Sequence, residues 1–338
     1  MADSATHVTI KAIFAILCCA SFSTLEAVTT FTLPRPTAVT RRTMVGIAAV
    51  AAVVCLWSSF ALSTRALEAT GMGVGDAAIV RFGVPALALS PWIPRTLRRL
   101  RGERGTVIAL VLLAGLPHFL LFAWGAHLTS AALTGLLVPS TVPLFVTALL
   151  FLHRRATVSR PRLLALAAII AGVAASAFLI GGTGAVDAGG IAVLLAAGLV
   201  WAAYTVGLAR TRLDPVGVIA LVSVVSLLAA VALAATGVMP SQLFEGTVDA
   251  PAWAAYALVQ GVGTGLLSTA CYVVAVKNLG SSIPAAAGAL SPVLTALVAV
   301  PLLGEHLTAG LVVALVLIVS GVAGFALAPS RRLATAPS

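Results

Sequence analysis

Acidic side chains are scarce in this chain of 338 residues. Ten Asp and Glu stand against twenty Lys and Arg, and charged residues of either sign make up 9% of the total. A soluble domain carries about 25% charged residues, so a soluble globular fold is excluded. Cysteine is also sparse: Cys18, Cys19, Cys55 and Cys271 show neither metal-ligand nor disulfide spacing, and at least the last two read as small apolar packers. No H-E-x-x-H or G-x-S-x-G occurs, and no pair of acids falls within an apolar stretch. Metal-assisted hydrolysis, serine hydrolysis and two-carboxylate chemistry therefore lack their groups, and neither an enzyme nor a bound cofactor or metal is expected.

What is present is apolar length: 60% of residues are hydrophobic, with a mean hydropathy of +1.12. The charges cut the chain into long uncharged runs, Thr43 to Thr64, Gly105 to Leu152, Leu163 to Val186, Ala188 to Ala209, Pro215 to Phe244, Ala250 to Val276, Asn278 to Gly304 and His306 to Ser330. About twenty apolar residues cross a bilayer as a helix. Each run then supplies one crossing, except Gly105 to Leu152, which supplies two, and Ala77 to Pro94 adds one that carries only Arg81. The expected fold is an all-α polytopic membrane protein of ten helices.

The net charge of +10 suggests a nucleic-acid partner until the basic residues are placed. With the first helix entering from the cytoplasm, all but Arg65 and Arg81 of the twenty basic residues fall in the segments before, between and after the helices that stay inside. Basic loops stay cytoplasmic, so both termini are expected in the cytoplasm of a cell membrane. The basic excess is a topology signal with some attraction to anionic lipid, and no nucleic-acid partner is expected. Residues 1–42 fit least well, because Glu26 interrupts the apolar stretch Ala12 to Ala20 and no A-x-A site follows. They read as an interfacial or disordered extension, as residues upstream of a true start at Met44, or as an eleventh helix or signal.

The ten segments divide into two similar sets of five, 43–186 and 187–330, followed by a tail at 331–338. Val142-Pro143-Leu144 is echoed by Ser291-Pro292-Val293, and Trp57-Ser58-Ser59-Phe60 by Trp201-Ala202-Ala203-Tyr204. An odd number of helices per set makes the second copy enter from the opposite side, giving an inverted repeat. Lys277-Asn278-Leu279-Gly280, Ala289-Leu290-Ser291-Pro292-Val293-Leu294-Thr295-Ala296 and Pro301-Leu302-Leu303-Gly304-Glu305-His306-Leu307-Thr308 resemble the end-of-repeat signature of EamA-type members of the drug/metabolite transporter superfamily. The resemblance extends over about residues 44–328. The first half departs from it, with His153-Arg154-Arg155 where a Gly-Glu pair would stand. It implies a transporter of small organic solutes, with export of amino acids, related metabolites or drugs leading, as a monomer or homodimer among membrane lipids. A membrane receptor or scaffold, or a polytopic enzyme, are the alternatives.

Polar groups inside spans are the default functional candidates. Gln260, Thr264, Ser268 and Tyr272 recur at four-residue spacing. Ser291 and Thr295 share a face of the ninth segment and Thr141 belongs to the fourth. These groups line a solute cavity or serve as interhelical hydrogen bonds. Trp57, with Ser58 beside it, and Trp201, with Tyr204 one turn on, read as cavity walls at matching repeat positions. His118 follows Pro117 and reads as a proton-linked gate or as a packing histidine. Pro143 and Pro292 read as hinges or fixed kinks. Arg81 and Glu305 read as an external gating pair, although an exposed pair contributes little energy. Gly261 and Gly265 have the spacing of close helix packing.

Overall fold

The computed structural model describes residues 38–67, 73–128, 131–152, 159–180, 188–245, 250–288, 290–294 and 309–328, which are helical apart from short turns. Nothing in the sequence offers a strand alternation, and no strand occurs among the described residues. In a bilayer a helix satisfies its own backbone hydrogen bonds, which is why apolar runs of this length take that form.

The helices are α1 Ala38–Leu67, α2 Val74–Ala88, α3 Ile93–Leu100, α4 Gly105–Leu112, α5 Leu116–Leu128, α6 Ala131–Leu152, α7 Arg160–Ile180, α8 Ala188–Leu208, α9 Pro215–Ala235, α10 Ala250–Tyr256, α11 Thr269–Leu279, α12 Ser282–Gly288 and α13 Ala309–Leu327. A π-helical stretch, Ala257–Ser268, joins α10 to α11 without a break. Among the described residues five spans are long and apolar enough to cross a membrane: Arg41–Ser58, Gly105–Leu128, Gly189–Leu208, Pro215–Ala235 and Trp253–Leu279. A sixth is counted if α2 and the bent segment after it form one span. The chain is thus a multi-pass membrane protein.

Two boundaries differ from expectation. The crossing expected over Ala77 to Pro94 begins earlier, at Val74, and ends at Ala88, where the chain bends by 62° into Ser90–Leu100. Pro91 and Pro94 lie at this bend, where a ring in place of N–H breaks the helical ladder. At the other end Asp76, expected in an outer loop, belongs to the first turn of α2 and is completely buried. Likewise α1 starts at Ala38, so the expected boundary at 42 falls inside a helix. Thr295, Glu305, residues 1–37 of the N-terminal segment and the tail 331–338 lie outside the described residues.

Packing is most extensive between α7 and α13, α6 and α8, α9 and α2, α11 and α1, and α5 and α8. The largest core cluster gathers Phe82, Tyr204, Leu208, Val222, Tyr272 and Val276 where α2, α8, α9 and α11 meet. Away from that core, apolar side chains such as Leu87, Leu164 and Leu228 stand 67–75% exposed, as lipid-facing groups do. Helix ends use local chemistry. Asp214 caps α9 by accepting from Gly217 N at 2.8 Å, with Pro215 at the first helical position. Gly280, at φ 79°, ends α11 in a conformation that a side chain would strain.

Candidate functional site

Trp57 and Trp201, whose sequence contexts repeat, are brought ring to ring. Their centroids lie 5.6 Å apart with planes at 76°, an edge-to-face contact. Trp201 on α8 is the hub of a wider cluster. Tyr204 lies at 5.1 Å, Tyr272 of α11 at 5.5 Å and His118 of α5 at 4.7 Å from it. Tyr272 also lies 5.5 Å from Trp57 and 6.2 Å from Tyr204. Four helices, α1, α5, α8 and α11, therefore converge on one aromatic cluster. Gly288 lets the Trp57 indole lie against α12, since a Cβ there would come within 2.8 Å of it.

Hydrogen bonds orient several of these rings. Thr205 Oγ1 donates to Trp201 O at 2.8 Å, so the contact of 2.8 Å with Tyr272 is one in which the phenol donates to Thr205. His118 Nδ1 lies 3.2 Å from Ala197 O, and because a carbonyl only accepts, that nitrogen carries a proton. The histidine is packed between Trp201 and Phe122 rather than opened to a channel. Trp201 Nε1 and the Tyr204 hydroxyl are buried without a hydrogen-bond partner among the described residues. A buried polar group left unmatched costs about 1–3 kcal/mol.

Beside the rings lies a small cavity bounded by Arg81, Phe82, Ala114, Trp201, Ile219, Val222, Ser223, Gly265 and Thr269. Its space for water-sized molecules is about 20 Å3, room for about one water. Solute pockets hold about 300–1,000 Å3, so this cavity alone is too small for an organic solute. Arg81 Nη1 donates to Gln260 Oε1 at 2.8 Å, and its guanidinium stands 5.8 Å from the Phe119 ring centre. Arg81 was expected at an outer helix end. It instead lies midway along α2, packed on the π-helical stretch, where a Cβ on Gly265 would meet Arg81 O at 2.6 Å and one on Gly261 would meet Val84 at 2.6 Å. The Gly261 and Gly265 spacing thus serves close helix contact, as expected.

The hydroxyl residues donate within their own helices. Thr264 Oγ1 donates to Val259 O at 3.3 Å, Ser268 Oγ to Thr264 O at 2.7 Å and Thr141 Oγ1 to Leu137 O at 2.9 Å, all within their own helices. Thr141 also presses on α8, where a Cβ on Gly198 would lie 2.5 Å from its hydroxyl. Ser58 does join two elements, its single hydroxyl proton shared between Val54 O at 2.7 Å and Ser291 O at 2.9 Å. Ser291 precedes Pro292 in a helical turn, and Pro143 lies inside α6 with Pro139 one turn before it. The break before Pro117 exposes Leu116 N–H, which donates to Ser226 Oγ of α9 at 3.0 Å.

Sequence reasoning missed two groups. Ser226 carries no motif of its own. Asp76 accepts from Ser241 Oγ at 2.6 Å, Gln242 N at 2.8 Å, Gly73 N at 3.1 Å and Leu243 N at 3.2 Å. It caps α2 and at the same time ties it to the segment following α9. Among the described residues no three His, Cys, Asp or Glu side chains come together as a metal site requires.

Residues 188–327 match the EamA-like transporter family. No curated protein matches the chain. A solved structure titled only "Crystal structure of protein" is similar over 85% of this chain and 97% of its own, with a TM-score of 0.61 at 19% identity, a likeness of fold alone.

Proposed function

Because residues 188–327 match the EamA-like transporter family, of the drug/metabolite transporter superfamily, we propose that the whole chain carries a small organic metabolite across the cytoplasmic membrane by alternating access. In this reading ten helices form two inverted repeats of five, both termini are cytoplasmic, and export of an amino acid, a related metabolite or a drug is the leading direction. The protein works as a monomer or homodimer, with the solute as its partner and no cofactor.

The observation that carries the reading is the meeting of Trp57 and Trp201, equivalent positions of the two sequence repeats, at the centre of the helix assembly. The packing pattern supports it too. If the apolar segments are numbered one to ten in order, the contact of α1 with α11 joins one to eight, and that of α5 with α8 joins three to six. Exchanging the halves turns the first contact into the second. The pairs α2 with α9, α7 with α13 and α6 with α12 map onto themselves under the same exchange. A two-fold relation between the halves predicts this pattern, and such repeats place solute sites at their interface.

The small volume of the cavity beside Trp201 fits a resting conformation that opens when one half rocks against the other. Pro85 in α2, Pro139 and Pro143 in α6, and Pro292 stand where the ladder of hydrogen bonds is already interrupted, so bending there breaks few bonds. The test is release of solutes from liposomes loaded with a metabolite mixture and containing the purified chain. Release above that of empty vesicles is expected, and Trp201→Ala and Gln260→Ala should lower it without loss of protein from the membrane. No release of any solute would sink the transporter reading. Unchanged release in both variants would return these residues to packing.

A further inference from the structure

We infer that the segment Ser90–Leu100, with Arg101 and Arg104 after it, lies in the membrane interface and binds the phosphate headgroups of anionic phospholipids. The inference needs α2 to span a membrane and nothing of the transport reading. The segment is bent by 62° from α2, so with α2 along the membrane normal it runs nearer to the bilayer plane than to that normal. Its sequence does not suit the hydrocarbon, because Arg95, Arg98 and Arg99 fall within the eight residues of α3. The residues divide by face. Ile93, Leu97 and Leu100 recur at i, i+4 and i+7, and the three arginines take the opposite side. A short helix divided in this way, with a basic polar face, has the pattern of one that lies along a membrane surface.

One edge of α3 is fixed to the protein. Thr96 is buried, Leu100 packs against the central core and the helix rests on α9, while Arg95 and Arg99 turn to Asp214. The other edge is open. Leu97 is 58% exposed and Trp92 42%, and Arg98, Arg101 and Arg104 are exposed without an ion pair to any described residue. From Arg95 to Arg104 five arginines stand against one acid, Glu103, which is already engaged by Thr211 and the turn after it. A guanidinium fork matches phosphate oxygens, and a tryptophan suits the depth of the headgroups. A soluble anion would leave Trp92 and Leu97 uncovered, and a zwitterionic headgroup would bring its own cation to the arginines. An anionic phospholipid answers both the charge and the apolar side chains.

Two short-chain lipids separate these cases: dioctanoyl phosphatidylglycerol, which is anionic, and dioctanoyl phosphatidylcholine, which is zwitterionic. Titrated into the full chain in a neutral detergent, the first should raise the melting temperature at a concentration about 10- to 100-fold lower than the second, and the gap should narrow in concentrated salt. Arg98→Gln combined with Arg101→Gln should lower the affinity for phosphatidylglycerol about 10- to 30-fold. The melting temperature without lipid should not change, since neither side chain pairs within the described residues. Arg41→Gln combined with Arg42→Gln removes the same charge from the exposed start of α1 and should leave the preference intact. Leu97→Ser should weaken both lipids alike. Equal stabilisation by the two lipids, an equal loss from the two arginine pairs, or stabilisation by inorganic phosphate as strong as by phosphatidylglycerol would overturn the site. The outcome is separate from that of the liposome test. A lipid preference unaltered by the Arg98 and Arg101 substitutions removes this site and leaves the transporter, whereas absence of solute release removes the transporter and leaves this site.

Discussion

Two aspartates begin the two central helices, and each reaches across to the far end of the other. Asp76, in the first turn of α2, binds the segment that follows α9, and Asp214, at the start of α9, binds the segment that follows α2. The arrangement is the same and the chemistry is not. Asp76 is completely buried and accepts from one hydroxyl and three backbone N–H groups. Asp214 is 37% exposed and pairs with two guanidinium groups, Arg99 at 2.6 Å and Arg95 at 3.5 Å. Around the Asp76 junction the backbones also touch, Gly75 N donating to Pro240 O at 2.9 Å, and neither Gly73 nor Gly75 has room for a Cβ. At the other end the contacts run through side chains: Glu103 Oε1 accepts from Thr211 Oγ1 at 3.0 Å and Leu213 N at 3.1 Å, and Lys277 Nζ donates to Thr211 O at 3.1 Å. One junction is a dry clasp of buried backbone groups and the other a wet one of exposed charges. A protein whose halves rock would open the second more readily than the first.

The sharpest way to break the comparison is at Asp76. Asp76→Ala would leave three N–H groups and a buried hydroxyl without their acceptor, and loss of buried partners costs about 1–3 kcal/mol for each group fully stranded. Some of those donors will find water once the junction loosens, so a net loss of about 3 kcal/mol is the expectation. Thermal unfolding in detergent measures it. Asp76→Asn, which keeps one acceptor oxygen, should fall between. A melting temperature for Asp76→Ala equal to that of the unaltered chain would show that the clasp carries no weight.

How Asp76 escaped a reading of the sequence is instructive. Cutting the chain at its charges leaves every acid at a helix end or outside the spans. That the carboxylate is instead buried depends on Ser241, Gln242 and Leu243, well over a hundred residues away, and no local pattern announces such a pairing. The same cut sets Arg81 near a helix end, because it starts the span at Ala77, whereas α2 begins at Val74. By contrast, the helical segments and the echo of the Trp57 context around Trp201 are legible, because apolar length and internal repetition are properties of the chain itself. The run Gln260, Thr264, Ser268 and Tyr272 was legible as a face but not as to use. Four-residue spacing does not tell an α-helix from the π-helical stretch found there, and hydroxyls that turn back to their own carbonyls look in sequence like hydroxyls that face a solute.

At the wet junction Glu103 should matter more than its ion-paired neighbours. One of its oxygens gathers a hydroxyl and two backbone N–H groups of the Thr211 to Leu213 turn, so Glu103→Ala should cost about 1–2 kcal/mol. Glu103→Gln keeps a carbonyl oxygen in the same place and should recover most of that stability. If the two variants melt alike, the negative charge of Glu103 rather than its acceptor geometry is what the turn requires.

The smallest effect belongs to Asp214, and a single substitution isolates it. Asparagine caps a helix as well as aspartate does, so Asp214→Asn preserves the bond from Gly217 N and removes only the charge that Arg95 and Arg99 face. An exposed pair contributes about 0–1 kcal/mol, and salt reduces it further. Asp214→Asn should therefore lower the melting temperature slightly in dilute buffer and not at all in concentrated salt, whereas the deficit of Asp76→Ala should persist in both. Buried hydrogen bonds are shielded from mobile ions and exposed charges are not, so the salt dependence separates the two junctions more cleanly than the size of either loss. A deficit for Asp214→Asn that survived high salt would mean that the ion pair is closed off from solvent, and the contrast between a dry end and a wet end would fall with it.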